Sequence, residues 1–182
     1  MAFTPLLYIA TAVITHYVAS FIQASLHCIV AHRKIGGPLR KNHLRYHHAI
    51  YSRDVMASEK YIDEEKSLTI YYVIPAAILA SVDYLLLPLG IFLVHISSLT
   101  LSFYTHVYVH VQYHLKNPWL KRFEWFRRKQ QLHILHHRNG SKNFAVLEFF
   151  WDRVFGTYQD ARVELKRLSV SERITTPSSN KG

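Results

Sequence analysis

Histidines dominate the residues of this sequence that could take part in chemistry. Thirteen occur among 182 residues, and eleven of them fall into four groups with regular spacing. The groups are His27 and His32; His43, His47 and His48; His106, His110 and His114; and His133, His136 and His137. Residues three or four apart on a helix share a face, so most of these groups direct at least two imidazoles to one point. Because imidazole is a common protein ligand of transition metals, the pattern predicts a metal site.

Two long apolar regions must position these histidines. There is no lysine or arginine in residues 1–32 or 67–115, and the segments that follow each region are strongly basic. A helix needs about 20 apolar residues to cross a bilayer, which predicts one span over residues 5–30. The second region is too long for one crossing and is interrupted by Asp83, Pro88 and Gly90. We therefore expect a helical hairpin over residues 68–85 and 88–111, with the buried helix pair of a soluble protein as the alternative.

The charge pattern predicts how these spans are oriented. Loops rich in lysine and arginine stay on the cytoplasmic side, which assigns residues 33–66 and the chain from Lys116 onward to that side and the turn near Asp83 to the other. The expected fold is an all-α integral membrane protein with three to four transmembrane helices and a cytosolic helical cap. Residues 1–165 are predicted to form one domain, and the polar residues 166–182 a disordered tail. The expected location is the endoplasmic reticulum of a eukaryote or the inner membrane of a bacterium.

This topology brings the four histidine groups to one layer. The first group lies at the cytosolic end of the first span, the third at the cytosolic end of the last span, and the other two in the cytosolic segments themselves. Ionisable residues at membrane depth are expensive and are functional candidates by default. Eight to eleven imidazoles exceed what one ion of four to six ligands can use, which favours two ions close together. His16 and His95 fall outside the groups and are predicted to be structural.

Other features narrow the function classes. The single Cys28 excludes an intramolecular disulfide and a multi-thiolate metal site, and we interpret it as a buried apolar side chain. The basic residues flank membrane spans, which favours anionic lipid head groups over nucleic acid as their partners. Residues 118–131 alternate aromatic and basic side chains and predict an interfacial amphipathic helix. Neither a haem motif nor a glycine-rich dinucleotide fingerprint occurs, so any reducing electrons would come from a partner.

The histidine groups are followed by a closing signature. It consists of Asn143 and Phe144 and then the run from Trp151 to Tyr158, which reads WDRVFGTY. With the histidine spacings, this signature resembles the fatty acid hydroxylase superfamily, also called the sterol desaturase family, over about residues 20–160. The resemblance implies an integral membrane enzyme that hydroxylates or desaturates a lipid alkyl chain, a sterol or a carotenoid-like substrate. It also implies a non-haem centre of two metal ions, expected to be iron, with O2 as co-substrate; Zn²⁺ could replace iron in a purified form.

The resemblance further implies the ligands and the electron donor. The donor would be of the cytochrome b5, ferredoxin or reductase type. The implied ligands are His27, His32, His43, His47, His48, His110, His114, His133, His136 and His137. The third group has a second register, His106 with His110, and we favour His110 with His114 because Pro118 then follows at about the family's distance. Either register makes His110 a ligand.

The carboxylates near these groups are candidates for orienting the imidazoles through their other ring nitrogen. Asp152 is the first candidate because it lies in the closing signature. Asp54, Glu59 and Asp63 are further ones, although for most of residues 59–65 we favour a solvated charged face that precedes the second span. Packing by the aromatic residues of the signature is an equally expected role for that motif.

A non-catalytic, histidine-rich membrane protein that binds or transports zinc is the competing hypothesis. A transporter places its polar ligands near the middle of the bilayer on facing helices. The sequence predicts histidines at one face and in the cap, and therefore favours the oxygenase.

Overall fold

The computed structural model describes residues 3–52, 55–62, 70–160 and 163. These residues form helices and turns without a strand, apart from one isolated bridge between Ser58 and Leu115. The α-helices are α1 (Phe3–Leu26), α2 (Gly37–Asn42), α3 (Ile70–Leu86), α4 (Leu89–Tyr113), α5 (Glu124–Arg138) and α6 (Phe150–Val154). Two π-helices, π1 (His27–Ala31) and π2 (His43–His48), continue α1 and α2. The all-α prediction is confirmed for this part of the chain.

Two helices are long and apolar enough to cross a membrane. They are Pro5–Ala31, which combines α1 with π1, and α4. In the most apolar stretch of each helix, only 17% and 6% of the residues, respectively, are buried. A core helix of a soluble protein would be mostly buried, so this exposure favours lipid as the neighbour of both helices. The predicted span over residues 68–85 corresponds to a shorter apolar helix, Ile74–Leu86. The total number of spans remains a prediction.

The predicted hairpin is present between α3 and α4. Leu87 and Pro88 separate the two helices, and Pro75 lies inside α3 as expected for a membrane helix that tolerates proline. α4 packs mainly along α1. Because α1 and α4 both run toward the basic segments, their histidine-bearing ends lie side by side.

A cap of short helices covers these ends. Its apolar residues pack with residues of α1 and α4 in two clusters, and each cluster includes residues of α5. One cluster lies toward α1 and α6 and contains Ala24, Leu132, Leu135, Ala145 and Phe149; the other lies toward α4 and contains Val109, Tyr113, Leu120, Phe126, Val146 and Leu147. α5 is thereby fixed between the two long helices, with its histidines directed inward.

The segment predicted as one interfacial helix is two elements. A 3-10 turn, Trp119–Arg122, ends at Phe123, whose extended backbone (φ −91°, ψ 133°) separates it from α5. The prediction over residues 118–131 was therefore wrong in extent, because α5 begins at Glu124 and continues to Arg138. Trp119 and Trp125 remain exposed, and the Arg122 guanidinium lies 4.7 Å from the Trp119 ring centroid. The tail predicted to be disordered, residues 166–182, lies outside the described residues.

Candidate metal centre

The two π-helices each bring a pair of histidines together. His27 and His32 are five residues apart, as are His43 and His48, and five residues on an α-helix point in clearly different directions. A π-helix closes i→i+5 hydrogen bonds, which brings such residues to a common side. The ring centroids lie 5.0 Å apart for His27 and His32 and 4.8 Å apart for His43 and His48. The π conformation is thus the local feature that converts this spacing into a shared site.

Glycine allows the chain to turn between π1 and α2. A Cβ on Gly36 would lie 1.6 Å from the carbonyl oxygen of Val30, so no larger residue fits without a shift of the backbone. The Arg40 guanidinium donates a hydrogen bond to the carbonyl of His32 (3.1 Å) and ties α2 to the end of π1. This turn holds π2 against π1.

Nine histidines assemble into two groups of potential metal ligands. Within each group, the ligand nitrogens all lie within 4.8 Å of one another. The His27 group contains His27, His32, His43, His48 and His136; the His47 group contains His47, His114, His133 and His137. Four or five imidazoles around one point match the coordination numbers of transition metal ions.

Adjacent histidines serve different groups. His47 belongs to one group and His48 to the other, and His136 and His137 are divided in the same way. The His48 and His137 rings stack with centroids 4.2 Å apart, so the two groups share a wall. Two ions held in these groups would be neighbours.

Backbone carbonyls fix the orientation of four of these rings. The Nδ1 atoms of His27, His114, His136 and His137 contact the carbonyl oxygens of Phe144 (2.5 Å), Met56 (3.2 Å), Lys142 (2.7 Å) and Tyr51 (2.8 Å), respectively. A carbonyl only accepts, so each Nδ1 carries the proton and donates. Each Nε2 is then left with a lone pair directed into its group, which is the arrangement that metal-bound histidines adopt.

Several of these lone pairs face one another. The His133 Nε2 atom lies 3.0 Å from Nε2 of His114 and 3.2 Å from Nε2 of His137. His133 can donate one proton at most through this atom, so at least one contact joins two lone pairs. The Nε2 atoms of His27 and His43 approach to 3.1 Å in the other group. A cation among these nitrogens would turn this repulsion into attraction.

Further ring nitrogens are buried without a hydrogen-bond partner among the described residues. They are Nε2 of His32, His47, His48, His110 and His136 and Nδ1 of His133. Buried polar atoms are nearly always paired, and the unpaired Nε2 atoms of His32, His48 and His136 in one group and of His47 in the other therefore fit metal ions. An all-imidazole donor set suits iron, zinc, copper or nickel and does not by itself distinguish among them.

Burial keeps these imidazoles neutral. Desolvation lowers the pKa of His32 to about 3 and that of His114 to about 4. It also lowers the pKa of His47, His48, His133, His136 and His137, and neighbouring histidines lower these values further. Neutral imidazole is the form that binds metal, so near neutral pH the ligands need not lose protons before they bind.

Only part of the third histidine group of the sequence, His106, His110 and His114, contributes to the two groups of potential metal ligands. His110 lies against the His47 group, with its ring centroid 4.7 Å from those of His47 and His133, although it is not one of the four residues within the common 4.8 Å limit. His106 is one turn away, 6.3 Å from the His110 ring, and belongs to neither group. The geometry therefore favours the register His110 with His114.

The two histidines predicted to be structural have partners away from both groups. His16 contacts Ser102 (3.1 Å) and lies 3.7 Å from Glu148. His95 contacts Thr15 (2.8 Å) and lies 3.4 Å from Asp83.

Asp152 is fully buried and contacts the backbone rather than an imidazole. Its Oδ1 accepts hydrogen bonds from Phe144 N (2.7 Å) and the Thr157 hydroxyl (2.7 Å), and its Oδ2 accepts one from Ala145 N (3.0 Å). Burial raises the pKa of Asp152, and these three donors oppose that shift. The direct contact with an imidazole expected from the sequence is replaced by an indirect one through the loop that carries Phe144.

The other carboxylate candidates have no place in the described site. Glu59 is exposed and pairs with Lys116 at 3.2 Å. Asp54 and Asp63 lie outside the described residues.

Asn143 holds the same loop from the other side. It is fully buried and has a left-handed backbone (φ 55°), which asparagine tolerates better than most residues. Its amide donates to the carbonyls of Leu132 and Gln159 and accepts from Gln159 N. The residues on either side of it, Lys142 and Phe144, supply the carbonyls that orient His136 and His27. The closing signature therefore supports the site structurally.

Comparison with known families agrees with this geometry. The fatty acid hydroxylase family model matches residues 11–157, a range that contains both histidine groups and the closing signature as far as Thr157. The chain belongs to the fatty acid hydroxylase family. Neither the curated proteins nor the solved structures contain a match.

Sequence reasoning did not find the carbonyl acceptors or the aromatic wall of the site. Tyr51 is completely buried and stacks on His114 with ring centroids 4.0 Å apart, and its carbonyl orients His137. Every residue type carries a backbone carbonyl, so the sequence does not show which carbonyls accept hydrogen bonds from the histidines. A signal was available for the π-helices, because two histidine pairs share the same five-residue separation.

Proposed function

We propose that this protein is a membrane oxygenase that inserts oxygen into, or desaturates, a lipid alkyl chain, a sterol or a carotenoid-like substrate at two iron ions. The observation that carries the proposal is the convergence of nine imidazoles, five of them buried and four partly buried, into two adjoining groups. Membership of the fatty acid hydroxylase family supports the same reaction class. Iron held by these residues would supply the oxidising chemistry that an unactivated C–H bond requires.

The roles of the protein's own residues follow from their contacts. The His27 and His47 groups hold the ions, and the carbonyls of Phe144, Lys142, Tyr51 and Met56 fix the rings so that little ordering is needed on binding. The cap and the apolar clusters around α5 keep bulk water from the histidines. Hydroxylation takes one oxygen atom of O2 into the product and one into water, and it consumes two electrons and two protons. The electrons would come from a separate donor protein.

The lipid substrate would enter from the bilayer. Exposed Trp119 and Trp125, with Arg122 over the Trp119 ring, form the kind of aromatic and basic edge that lies at the head-group level. With the basic segments on the cytosolic side, this edge and the metal centre would lie just inside the inner leaflet, and an alkyl chain could pass between the edge and the long helices.

Metal and product analysis tests the proposal. The purified full chain should contain two iron ions per molecule and, with lipid extract, a reductant and O2, should yield products that carry oxygen from 18O2 or a new double bond. Zinc binding with vectorial metal flux and no oxidised lipid would instead support the competing transporter. His106→Ala is a suitable control, because this histidine lies outside both groups.

A further inference from the structure

One peptide group connects Asp152 to a histidine of the metal centre. In the peptide between Phe144 and Ala145, the N–H of Ala145 donates to Asp152 Oδ2 (3.0 Å) and the carbonyl of Phe144 accepts from His27 Nδ1 (2.5 Å). The two hydrogen bonds lie at opposite ends of the same conjugated amide. A negative charge at the N–H end polarises the amide and increases the negative charge on its oxygen, since linked hydrogen bonds strengthen one another.

His136 provides an internal contrast in the same group. Its Nδ1 donates to the Lys142 carbonyl, and the N–H of that peptide belongs to Asn143 and donates to the neutral carbonyl of Thr157 (3.1 Å). The two ligands therefore have the same kind of acceptor, but only the His27 relay ends on a carboxylate. Asp152 is completely buried and accepts three hydrogen bonds, so its charge is held at this position.

We propose that Asp152 is a positioning residue that acts on His27 through the peptide between Phe144 and Ala145, which makes His27 a more strongly donating ligand. Metal-bound histidines commonly receive such support from a carboxylate in direct contact; here one amide transmits it. The consequence is an asymmetric centre, in which the ion in the His27 group binds more tightly and has a lower reduction potential than without Asp152. This inference rests on the proposed metal binding, although not on the identity of the substrate.

Cobalt(II) titration of the metal-free full chain in detergent tests the relay without an activity assay. The wild type should bind two equivalents. Asp152→Asn replaces one acceptor oxygen with an amide and removes the charge, and it should weaken one equivalent by about 10- to 100-fold, the range found for residues that support metal ligands. Thr157→Val removes a hydrogen bond to the same carboxylate but keeps its charge, and should leave both equivalents tight.

A double-mutant cycle identifies the ligand through which Asp152 acts. Combined with His27→Ala, Asp152→Asn should cause little further loss, because the relay then has no ligand to act on. Combined with His137→Ala in the other group, its effect should add in full. In the iron-loaded protein, Asp152→Asn should also raise the reduction potential of one ion, and Thr157→Val should not.

A backbone substitution covers the case in which Asp152→Asn does not fold. Replacing Ala145 with lactic acid exchanges the amide for an ester, which removes the N–H and weakens the Phe144 carbonyl as an acceptor while leaving every side chain in place. It should weaken the same equivalent of cobalt. Wild-type affinity in either variant, or equal weakening of both equivalents, would overturn the relay. A wild type that binds no metal would instead overturn the proposed function.

Discussion

Replacing Asn143 with alanine is expected to destabilise the protein and its metal centre together. The substitution removes three hydrogen bonds at a buried position, each worth about 1 kcal/mol net. It also places alanine in a left-handed conformation (φ 55°), at a further cost of about 1–2 kcal/mol. The sum is a loss of about 4–5 kcal/mol in the free energy of unfolding. Asn143→Gly avoids the conformational penalty and should lose about 3 kcal/mol by the same reasoning.

Equilibrium unfolding of the full chain in detergent, followed by tryptophan fluorescence, measures these losses. Asn139→Ala is the matched control. Asn139 makes hydrogen bonds to Ser141 and Gln159 in the same loop but is only partly buried, so water can replace them and the loss should stay within about 1 kcal/mol. The reasoning would be refuted if Asn143→Ala and Asn139→Ala were equally stable, or if Asn143→Ala kept both metal equivalents at wild-type affinity.

Three further predictions concern the ligands, the pH and the turn at Gly36. His47→Ala and His136→Ala should each lose at least one metal equivalent and all oxidation of lipid while still inserting into membranes; full metal content in either variant would contradict the ligand assignment. Unfolded histidines take up protons below about pH 6.5, whereas the pKa of His32 is about 3 in the folded protein, so the melting temperature of the metal-free protein should be constant above about pH 7 and fall between pH 6.5 and 4. A flat profile over that interval would argue against buried neutral histidines. Gly36→Ala would place a Cβ 1.6 Å from the Val30 carbonyl and should reduce cobalt binding at the His27 group, whereas an unchanged titration would show that the turn can relax.

The sequence predicted the helical fold and the convergence of the histidines because both depend on spacing. Residue separations of three and four report directly on α-helical faces, so His133 and His137 could be placed together. The separation of His136 from His137 follows from the same geometry, since adjacent residues on an α-helix point about 100° apart. This division between the two ligand groups was not predicted, because the adjacent histidines of each pair were expected to serve the same site.

The features that were not predicted depend on backbone geometry. The five-residue separation of His27 and His32 does not suit an α-helix, and only the π-helix explains it. Asp152 was expected near an imidazole, yet its hydrogen bonds reach Phe144 N and Ala145 N, and backbone donors have no signature in a sequence. The break at Phe123 was also missed, because aromatic and basic residues alternate on both sides of it and their pattern does not register the change in backbone conformation.

The central claim is that two groups of imidazoles hold a pair of metal ions. X-ray absorption at the iron edge of the loaded full chain, with the iron content of the same sample, measures this most directly. We predict two irons per chain and a ligand shell dominated by imidazole nitrogens, which His136→Ala reduces and His106→Ala leaves unchanged. One iron or none per chain, or an identical spectrum and iron content in His136→Ala, would contradict it.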